Sequence, residues 1–365
     1  MIKRSFNKNI KNLNTFGMKV TASCFVEYDN PDDLLHLPWA ELPSPVMPVG
    51  EGSNLLFTGD FSGTLLRSRI KGIDVIEDLS DADDVLVRAG AGVKWDDFCN
   101  WAAAKELWGP ENLSSIPGTV GAAPVQNIGA YGVEAGDIIE SVECFDMESK
   151  SFVSFGADRC DFGYRDSFFK HNRRYIVLYV VFHLHSDFRP RLEYGNLREQ
   201  VERNVELAGI SVDPYRPVYE TRFVPPMPLN PMLVRDTVKI IRENKLPNPD
   251  RVGSAGSFFK NPVVSADTFK QVEAVAVDVF GQDAAVPHFD LPGSMVKIPA
   301  AWLIESCGLK GAREGGAAVW EKQALVIVNA SSKASPSDVL SLEKRIVDAV
   351  WERFSIKLQP EVDHI

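Results

Sequence analysis

The sequence lacks an apolar run long enough to cross a bilayer. Its longest one, residues 175–184, covers about half the required length, and its Val, Ile, Tyr and Phe content predicts a buried strand. Clustered Lys and Arg are also missing and the net charge is −11, which excludes a phosphate-backbone partner such as DNA or RNA. Cysteine is sparse. Cys24, Cys99, Cys144, Cys160 and Cys307 are odd in number and form no C-x-x-C pair, so neither a disulfide frame nor a zinc site is expected, but reduced thiols in a cytoplasmic protein are. None of the six histidines falls in a metal-ligand spacing, and no metal site is expected. There is no G-x-S-x-G elbow, so the hydrolase pattern of Ser, His and carboxylate is absent. No Walker-type Lys follows a glycine loop, and Gly50-x-Gly52 meets Leu55 where a dinucleotide fingerprint needs its third glycine. The basic first 17 residues have no apolar core of a secretory signal and read as a mature start.

What is present is bare main chain. Residues 114–134, SSIPGTVGAAPVQNIGAYGVE, hold Gly118, Gly121, Ala122, Ala123, Gly129, Ala130 and Gly132 with a single acid and no Lys or Arg. Glycine allows unusual dihedrals and close approach, and successive exposed N–H groups make anion-binding concavities. A loop packed tightly on its own sheet has the same composition. A second such loop, Gly50-Glu51-Gly52-Ser53-Asn54, follows a strand-like segment, and two loops of this kind can grip one diphosphate from both sides.

At 365 residues, 45% hydrophobic, 24% charged and 10% aromatic, the chain is expected to be globular with two or three domains. Alternating short strands and turns over 12–72 predict a small α+β unit. A strand from Asp84, a helix through Trp95, Phe98 and Ala102, a hairpin over 138–155 and the strand 175–184 predict a second. A charged helix over 197–207 precedes Pro214, Pro217, Pro225, Pro226, Pro228 and Pro231, a density that marks a surface excursion or linker over 197–231. Asn230 and Pro231 then cap and open a helix lined by Val234, Val238 and Ile241, Ser265 caps another, and Ser335-Pro336 opens a long amphipathic one. The tail 356–362 alternates Ile356, Leu358, Pro360 and Val362 and predicts a last strand.

Arg165, Ser257 and Glu361 stand out by their settings. Each also has an ordinary explanation: a salt-bridged turn arginine, a turn hydroxyl, an outward-facing strand glutamate. Lys245 ends a helix, where a cation is favoured whether or not it binds anything. Periodicity alone stops at a nucleotide-gripping protein of two or three α/β parts.

The strings GEGSNLLF, NLSSIPGTVGAAPVQNIGAYGVE, CDFGYRDSFFK, LEYGNL, KLPNPDRVGSAGSFFKNP, AAWLIESCGLKG, GGAAV and LQPEV occur in this order. In them the sequence resembles the type I UDP-N-acetylenolpyruvoylglucosamine reductases, over residues 14–362. The resemblance implies an α+β fold of the vanillyl-alcohol-oxidase type. Two α+β subdomains, 1–72 and 73–229, clamp FAD; an α/β domain, 230–355, takes the substrate; and 356–365 returns to the active site. It implies non-covalent FAD held by Gly50, Glu51, Gly52, Ser53, Asn54, Ile116, Pro117, Gly118, Thr119, Gly121, Ala122, Ala123, Gln126, Asn127, Gly129, Ala130 and Tyr131, its diphosphate gripped by main-chain N–H groups. NADPH is the implied co-substrate, and UDP-N-acetyl-3-O-(1-carboxyvinyl)-glucosamine the substrate, reduced to UDP-N-acetylmuramate for peptidoglycan. Arg165 and Glu361 are implied to stabilise the enolate and Ser257 to donate the proton, with Tyr164, Tyr194, Lys245, Asn261 and Gln323 binding substrate. Phe289 stands where type I members commonly carry a tyrosine, so one hydroxyl contact is lost. A cytoplasmic monomer without membrane or nucleic-acid partners completes the expectation.

Overall fold

The computed structural model describes residues 1–77, 83–207 and 229–365. Pro214, Pro217, Pro225, Pro226 and Pro228 of the expected excursion lie outside them. The chain divides into two compact units that do not follow chain order. The first takes Met1–Ser5, Cys24–Gly50 and Gly63–Arg242; the second takes Phe6–Ser23, Glu51–Ser62 and Glu243–Ile365.

The first unit is built on the strand Tyr175–His185. It pairs antiparallel with Ile139–Asp146 on one side and with Asp84–Gly90 on the other, in a five-stranded sheet completed by Ser151–Gly156 and Ile73–Val75. Side chains alternate across a strand, and here both faces are covered. Val177, Val180, Phe182 and Leu184 enter one core cluster with Trp95, Phe98 and Val142, while Ile176 and Leu178 enter another with Val26, Tyr28, Leu66 and Phe145. Burial on both faces is why its sequence is a continuous apolar run, and a register shift opposite Glu143 and Cys144 lets the two sets share one strand. The expected hairpin is present as Ile139–Asp146 and Ser151–Gly156.

The helix Trp95–Ala104 buries Trp95, Phe98, Cys99, Ala102 and Ala103. The Phe98 and Phe182 rings meet at 4.3 Å, and Trp95 lies 5.4 Å from the first and 5.8 Å from the second. Such pairs add about 0.5–1.5 kcal/mol beyond burial. The Trp95 indole N–H is not left unpaired; it donates to the Leu113 carbonyl at 2.8 Å, fixing the entry to residues 114–134. Leu197–Leu207 is a helix as expected, and Leu197 and Val201 pack with Trp108, Leu192, Val234 and Val238 in a third cluster. Asn230 Oδ1 accepts the Leu233 N–H at 2.9 Å at the start of the helix Pro231–Lys245.

In the second unit an antiparallel sheet takes the order Gly253–Ser257, Val326–Asn329, Ala317–Val319 and Arg313–Glu314. The long helix Pro336–Phe354 opens on a Ser335/Asp338 capping box and buries Val339, Leu342, Ile346 and Val350 at helical spacing. Ser265 caps Ala266–Phe280. The N-terminal segment joins the sheet edge, where Thr15 Oγ1 donates to the Ser254 carbonyl at 2.7 Å and Asn329 Nδ2 to the Phe16 carbonyl at 3.2 Å.

The tail departs from expectation. Ile356, Leu358 and Val362 are buried as the alternation requires, but 356–362 forms no strand. Pro360 has no N–H to give a ladder, and Phe259 and Pro360 make only an isolated bridge before Asp363–His364 pairs parallel with Leu55–Leu56.

Glu111 is buried beside the entry to the glycine-rich stretch, with its Oε2 accepting the Gly109 N–H at 2.6 Å. Burial pushes its carboxyl from 4.5 up to about 7. Between those pH values the folded protein holds a proton that the unfolded chain has released, so this contribution to stability is full below the lower value and is lost as pH rises through the upper one. Glu111→Gln is expected to flatten that slope, raising stability at pH 8 relative to the parent by roughly 2–3 kcal/mol. Urea midpoints from pH 4.5 to 8 check it, and parallel curves for the two proteins would refute the assignment.

Candidate active site

Residues 163–166 form a tight turn in which Gly163 and Asp166 exchange main-chain hydrogen bonds at 3.0 Å. Four side chains fix this turn against the glycine-rich stretch. Asn127, 1% exposed, donates through Nδ2 to the Gly163 carbonyl and to Glu134 Oε2, both at 2.8 Å, and its Oδ1 accepts the Gly136 N–H at 2.8 Å. Ser167 Oγ donates to the Val125 carbonyl at 2.8 Å, and Lys170 Nζ to Gln126 Oε1 at 3.0 Å. Arg165 Nη2 donates to the Gly129 carbonyl at 2.6 Å. A Cβ at Gly129 would stand 2.7 Å from Arg165 Nη1, so glycine there makes room for the guanidinium.

The backbone is strained where these groups meet. Ser115, Asn127, Tyr131 and Arg165 all carry a positive φ, between 41° and 60°, without being glycine. Such residues cost about 1–3 kcal/mol each and gather at ligand clamps. The Tyr131 ring meets Tyr194 edge-on at 6.1 Å, and Tyr194 also lies over Gly132. Burial raises the Tyr131 phenol above its usual range.

Sequence reasoning passed over Arg242. Among the described residues its buried Nε has no hydrogen-bond partner, and its side chain interacts with Tyr131. Burial lowers its pKa from the guanidinium range, and the charge of Arg165 adds to that shift. Two arginines within electrostatic reach, one with a buried donor that no acceptor among the described residues meets, fit an anionic ligand beside Tyr131. The only signal in the sequence is its place three residues before Lys245.

The main-chain donors of the stretch are more committed than the sequence suggested. The N–H groups of Val120 and Gly121 donate to the Val93 and Ala91 carbonyls at 2.9 and 3.0 Å, and those of Ala122 and Ala123 to the Thr119 carbonyl. A Cβ at Gly121 would fall 2.6 Å from that of Ala91, and one at Gly50 would fall 2.9 Å from Thr119 Oγ1. Gly121 thus serves close packing of the stretch on Ala91, next to the Asp84–Gly90 strand, and Gly50 lets the first loop pack against Thr119 and Ala122.

The second unit brings Ser257 and Glu361 together. Ser257 ends the strand Gly253–Ser257 after an irregularity in which Gly256 takes φ +74°, and the next residue, Phe258, accepts the Glu361 N–H at 2.8 Å. Asn54 Nδ2 donates to the Glu361 carbonyl at 3.0 Å, and the Asn54 carbonyl accepts the Asp363 N–H. Asn54 thus holds the tail. Asn261 Oδ1 accepts the Ala300 N–H at 2.9 Å and anchors the helix Ala300–Ser306; Gln323 Oε1 accepts the Leu325 N–H at 3.4 Å. Lys245 is exposed, its carbonyl accepting the Trp320 indole N–H at 3.1 Å. Arg165, Tyr164 and Tyr194 belong to the first unit, while Ser257, Glu361, Asn261, Gln323 and Lys245 belong to the second.

A C-terminal-domain model of UDP-N-acetylenolpyruvoylglucosamine reductase matches residues 248–365. The enzyme of that name from Bacteroides fragilis (strain YCH46) is 41% identical over 96% of this chain and 97% of its own, and the one from Pasteurella multocida (strain Pm70) is 37% identical over 98% and 96%. The chain belongs to the UDP-N-acetylenolpyruvoylglucosamine reductase family. An FAD-binding-domain model matches residues 38–152, and the chain is an FAD-dependent oxidoreductase. Its fold agrees with the crystal structure of the Thermus caldophilus reductase, TM-score 0.63 at 23% identity over 100% of this chain and 98% of that one. It agrees also with 6-hydroxy-D-nicotine oxidase from Arthrobacter nicotinovorans, TM-score 0.50 at 12% identity over 96% and 86%. The fold is the vanillyl-alcohol-oxidase type expected from the sequence motifs. No helix among the described residues is long and apolar enough to cross a membrane.

The reductase's glycine-rich stretch has one more anchor. Asp96 Oδ1 accepts the Ser115 N–H at 2.7 Å while its Oδ2 accepts from Arg235 Nη2 at 2.9 Å, and the Arg235 side chain is only 8% exposed. Removing Asp96 leaves the buried guanidinium with Asp236 as its remaining carboxylate, 3.3 Å from Nη1, whereas removing Arg235 leaves a carboxylate that water can reach. Asp96→Ala is therefore expected to cost roughly 2–4 kcal/mol and Arg235→Met distinctly less. Urea denaturation of the two variants checks the order, and the reverse order would show that the buried charge is not what the pair serves.

Proposed function

We propose that this chain reduces the enolpyruvyl ether of UDP-N-acetylglucosamine to UDP-N-acetylmuramate in peptidoglycan precursor synthesis, with NADPH as hydride source. The support is the presence, within a family shown by identity over nearly the whole chain, of Arg165 in its clamped turn and of Ser257 and Glu361 joined through Phe258. FAD, when bound, relays a hydride from NADPH to the terminal methylene carbon of the substrate.

The protein's own task follows from where charge develops. Hydride arrival at the methylene leaves an enolate on the neighbouring carbon, conjugated with its carboxylate. A preorganised donor at such a centre is worth roughly 3 kcal/mol. Arg165 supplies a forked cation matched to a carboxylate. Glu361 assists only while it carries a proton, since an ionised carboxylate would repel the enolate. Ser257 Oγ delivers the proton that turns the enolate carbon into the lactyl centre, a step open to so weak an acid only because the intermediate is strongly basic and the donor is held close.

Gly50 to Asn54 and Ile116 to Tyr131 line the FAD site in this proposal, and Arg242 joins Arg165 as a charged donor there. Where the Val120–Ala123 amides are spent on the protein, the anion is met by the remaining main-chain donors and by side chains. Tyr164, Tyr194, Asn261 and Gln323 bind substrate, and Lys245 reaches the diphosphate. Phe289, 43% exposed with Lys297 Nζ 5.5 Å from its ring centre, offers no hydroxyl in place of the tyrosine of type I members. Free cysteines agree with a cytoplasmic setting, in which the chain acts as a monomer.

The purified protein is expected to be yellow, to bleach with NADPH without oxygen, and to recolour on adding the enolpyruvyl sugar nucleotide. Recolouring by air alone would identify a flavin oxidase with another substrate. Ser257→Ala is expected to leave bleaching by NADPH nearly intact and to slow recolouring by roughly 100-fold or more, the scale of general acid catalysis. Equal slowing of both halves in stopped-flow traces would remove the serine from the proton-donor role.

A further inference from the structure

The strand Tyr175–His185 carries a feature that the proposed reaction does not use. Beyond the register shift, Val180, Phe182 and Leu184 face the core, so Val181, His183 and His185 share the opposite face. Antiparallel pairing sets His185 directly across from Asp84 and His183 across from Leu86. His183 Nε2 and His185 Nδ1 each lie 2.8 Å from Asp84 Oδ1, and the two imidazole rings stand 4.7 Å apart. One ligand atom from each of the three residues falls within 4.8 Å of the other two. The metal-ligand spacings weighed in the sequence do not include this pattern: i and i+2 on a strand, with a cross-strand carboxylate, is a ligand spacing that helical and zinc-finger patterns do not cover.

We propose that Asp84, His183 and His185 form a binding site for a divalent transition-metal ion of the zinc class. Two imidazoles and a carboxylate are the donor set such ions take, at metal–ligand distances of about 2.0–2.2 Å, with water or a further group completing the shell. The site is built on rigid backbone. His183 N–H donates to the Ile138 carbonyl at 2.8 Å, and the His185 and Trp108 main chains exchange hydrogen bonds at 2.7 and 3.0 Å, so both rings project from fixed positions. Solvent reaches the cluster, His183 being 39% and Asp84 43% exposed. The ion would clip the Asp84–Gly90 strand to the Tyr175–His185 strand at the end where their pairing stops. One group opposes it. Arg189 Nη1 lies 3.4 Å from His185 Nε2, the nitrogen that must carry the proton once Nδ1 binds metal, while Arg189 Nε is held by Asp187 at 2.8 Å. Two donors cannot face each other there, so Arg189 must swing aside on metal binding.

The test uses Co²⁺ as a spectroscopic probe on the full-length protein, followed by Zn²⁺ thermal shifts. The parent is expected to take up one Co²⁺ per chain with visible d–d bands, to release it to Zn²⁺, and to melt several degrees higher in excess Zn²⁺, as any ligand of the folded state requires. In the His183→Gln/His185→Gln protein the bands and the Zn²⁺ shift are expected to vanish, with circular dichroism and bound flavin unchanged. Arg189→Ala is expected to tighten Co²⁺ binding by up to about fivefold. Absence of the bands in the parent, or their persistence in the double variant, overturns the site.

Discussion

The amide of Asn127 is the constraint on which the glycine-rich stretch and the Arg165 turn of the first unit depend. Its three hydrogen bonds reach the Gly163 carbonyl, Glu134 Oε2 and the Gly136 N–H, and its backbone is left-handed. The Asn amide offers two donors and an acceptor on one short side chain, and Asn tolerates that conformation better than most residues. Because it is buried, each unmade bond would cost about 1–3 kcal/mol, so the glycine-rich stretch and the Arg165 turn are locked into one arrangement. Arg165 does not find its place alone; its position is inherited from this amide and from the Gly129 carbonyl it donates to.

The second unit solves the same problem with main chain. Ser257 and Glu361 lie at opposite ends of the C-terminal segment, and the bond between Glu361 N–H and the Phe258 carbonyl brings their main chains together. Asn54 completes the arrangement by gripping the tail through both its side chain and its carbonyl. A loop whose glycines look like a ligand cradle therefore carries, in Asn54, the residue that seats a catalytic candidate. The tail's alternation of apolar residues was a faithful sign of burial and a false sign of a strand, because the hydrophobic period reports which side chains face inward, and hydrogen-bond ladders also need an N–H at every second position, which Pro360 lacks.

Helix caps and hairpins were legible because they depend on near neighbours: Asn230, Ser265 and Ser335 accept N–H groups three residues on, and the Tyr175–His185 run needs only its own composition. The candidate site was not legible by periodicity, since Arg165, Ser257 and Glu361 share no local pattern, and only the ordered motifs pointed to all three. Arg242 escaped both routes. On a helix of charged residues it looks like a solvated face, and only the fold reveals that its Nε is buried against no acceptor. The division of the chain was illegible for the same reason. Residues 6–23 and 51–62 cluster with the last third of the sequence through bonds such as Thr15 to Ser254, which no composition break announces.

What the glycines do follows from these particulars. Bare backbone lets something approach, but it does not say what. At Gly121 the approaching group is Ala91, at Gly253 the Phe16 carbonyl, at Gly129 the Arg165 guanidinium. In each case the missing side chain admits another part of the protein, and the neighbouring amides are bonded to protein carbonyls. Among the described residues, the Arg242 Nε is instead a buried donor that no acceptor meets. Substituting a glycine in this stretch and substituting that arginine are therefore different perturbations: the first displaces packed backbone and is felt in folding, whereas the second leaves the backbone in place and removes a positive charge beside Tyr131.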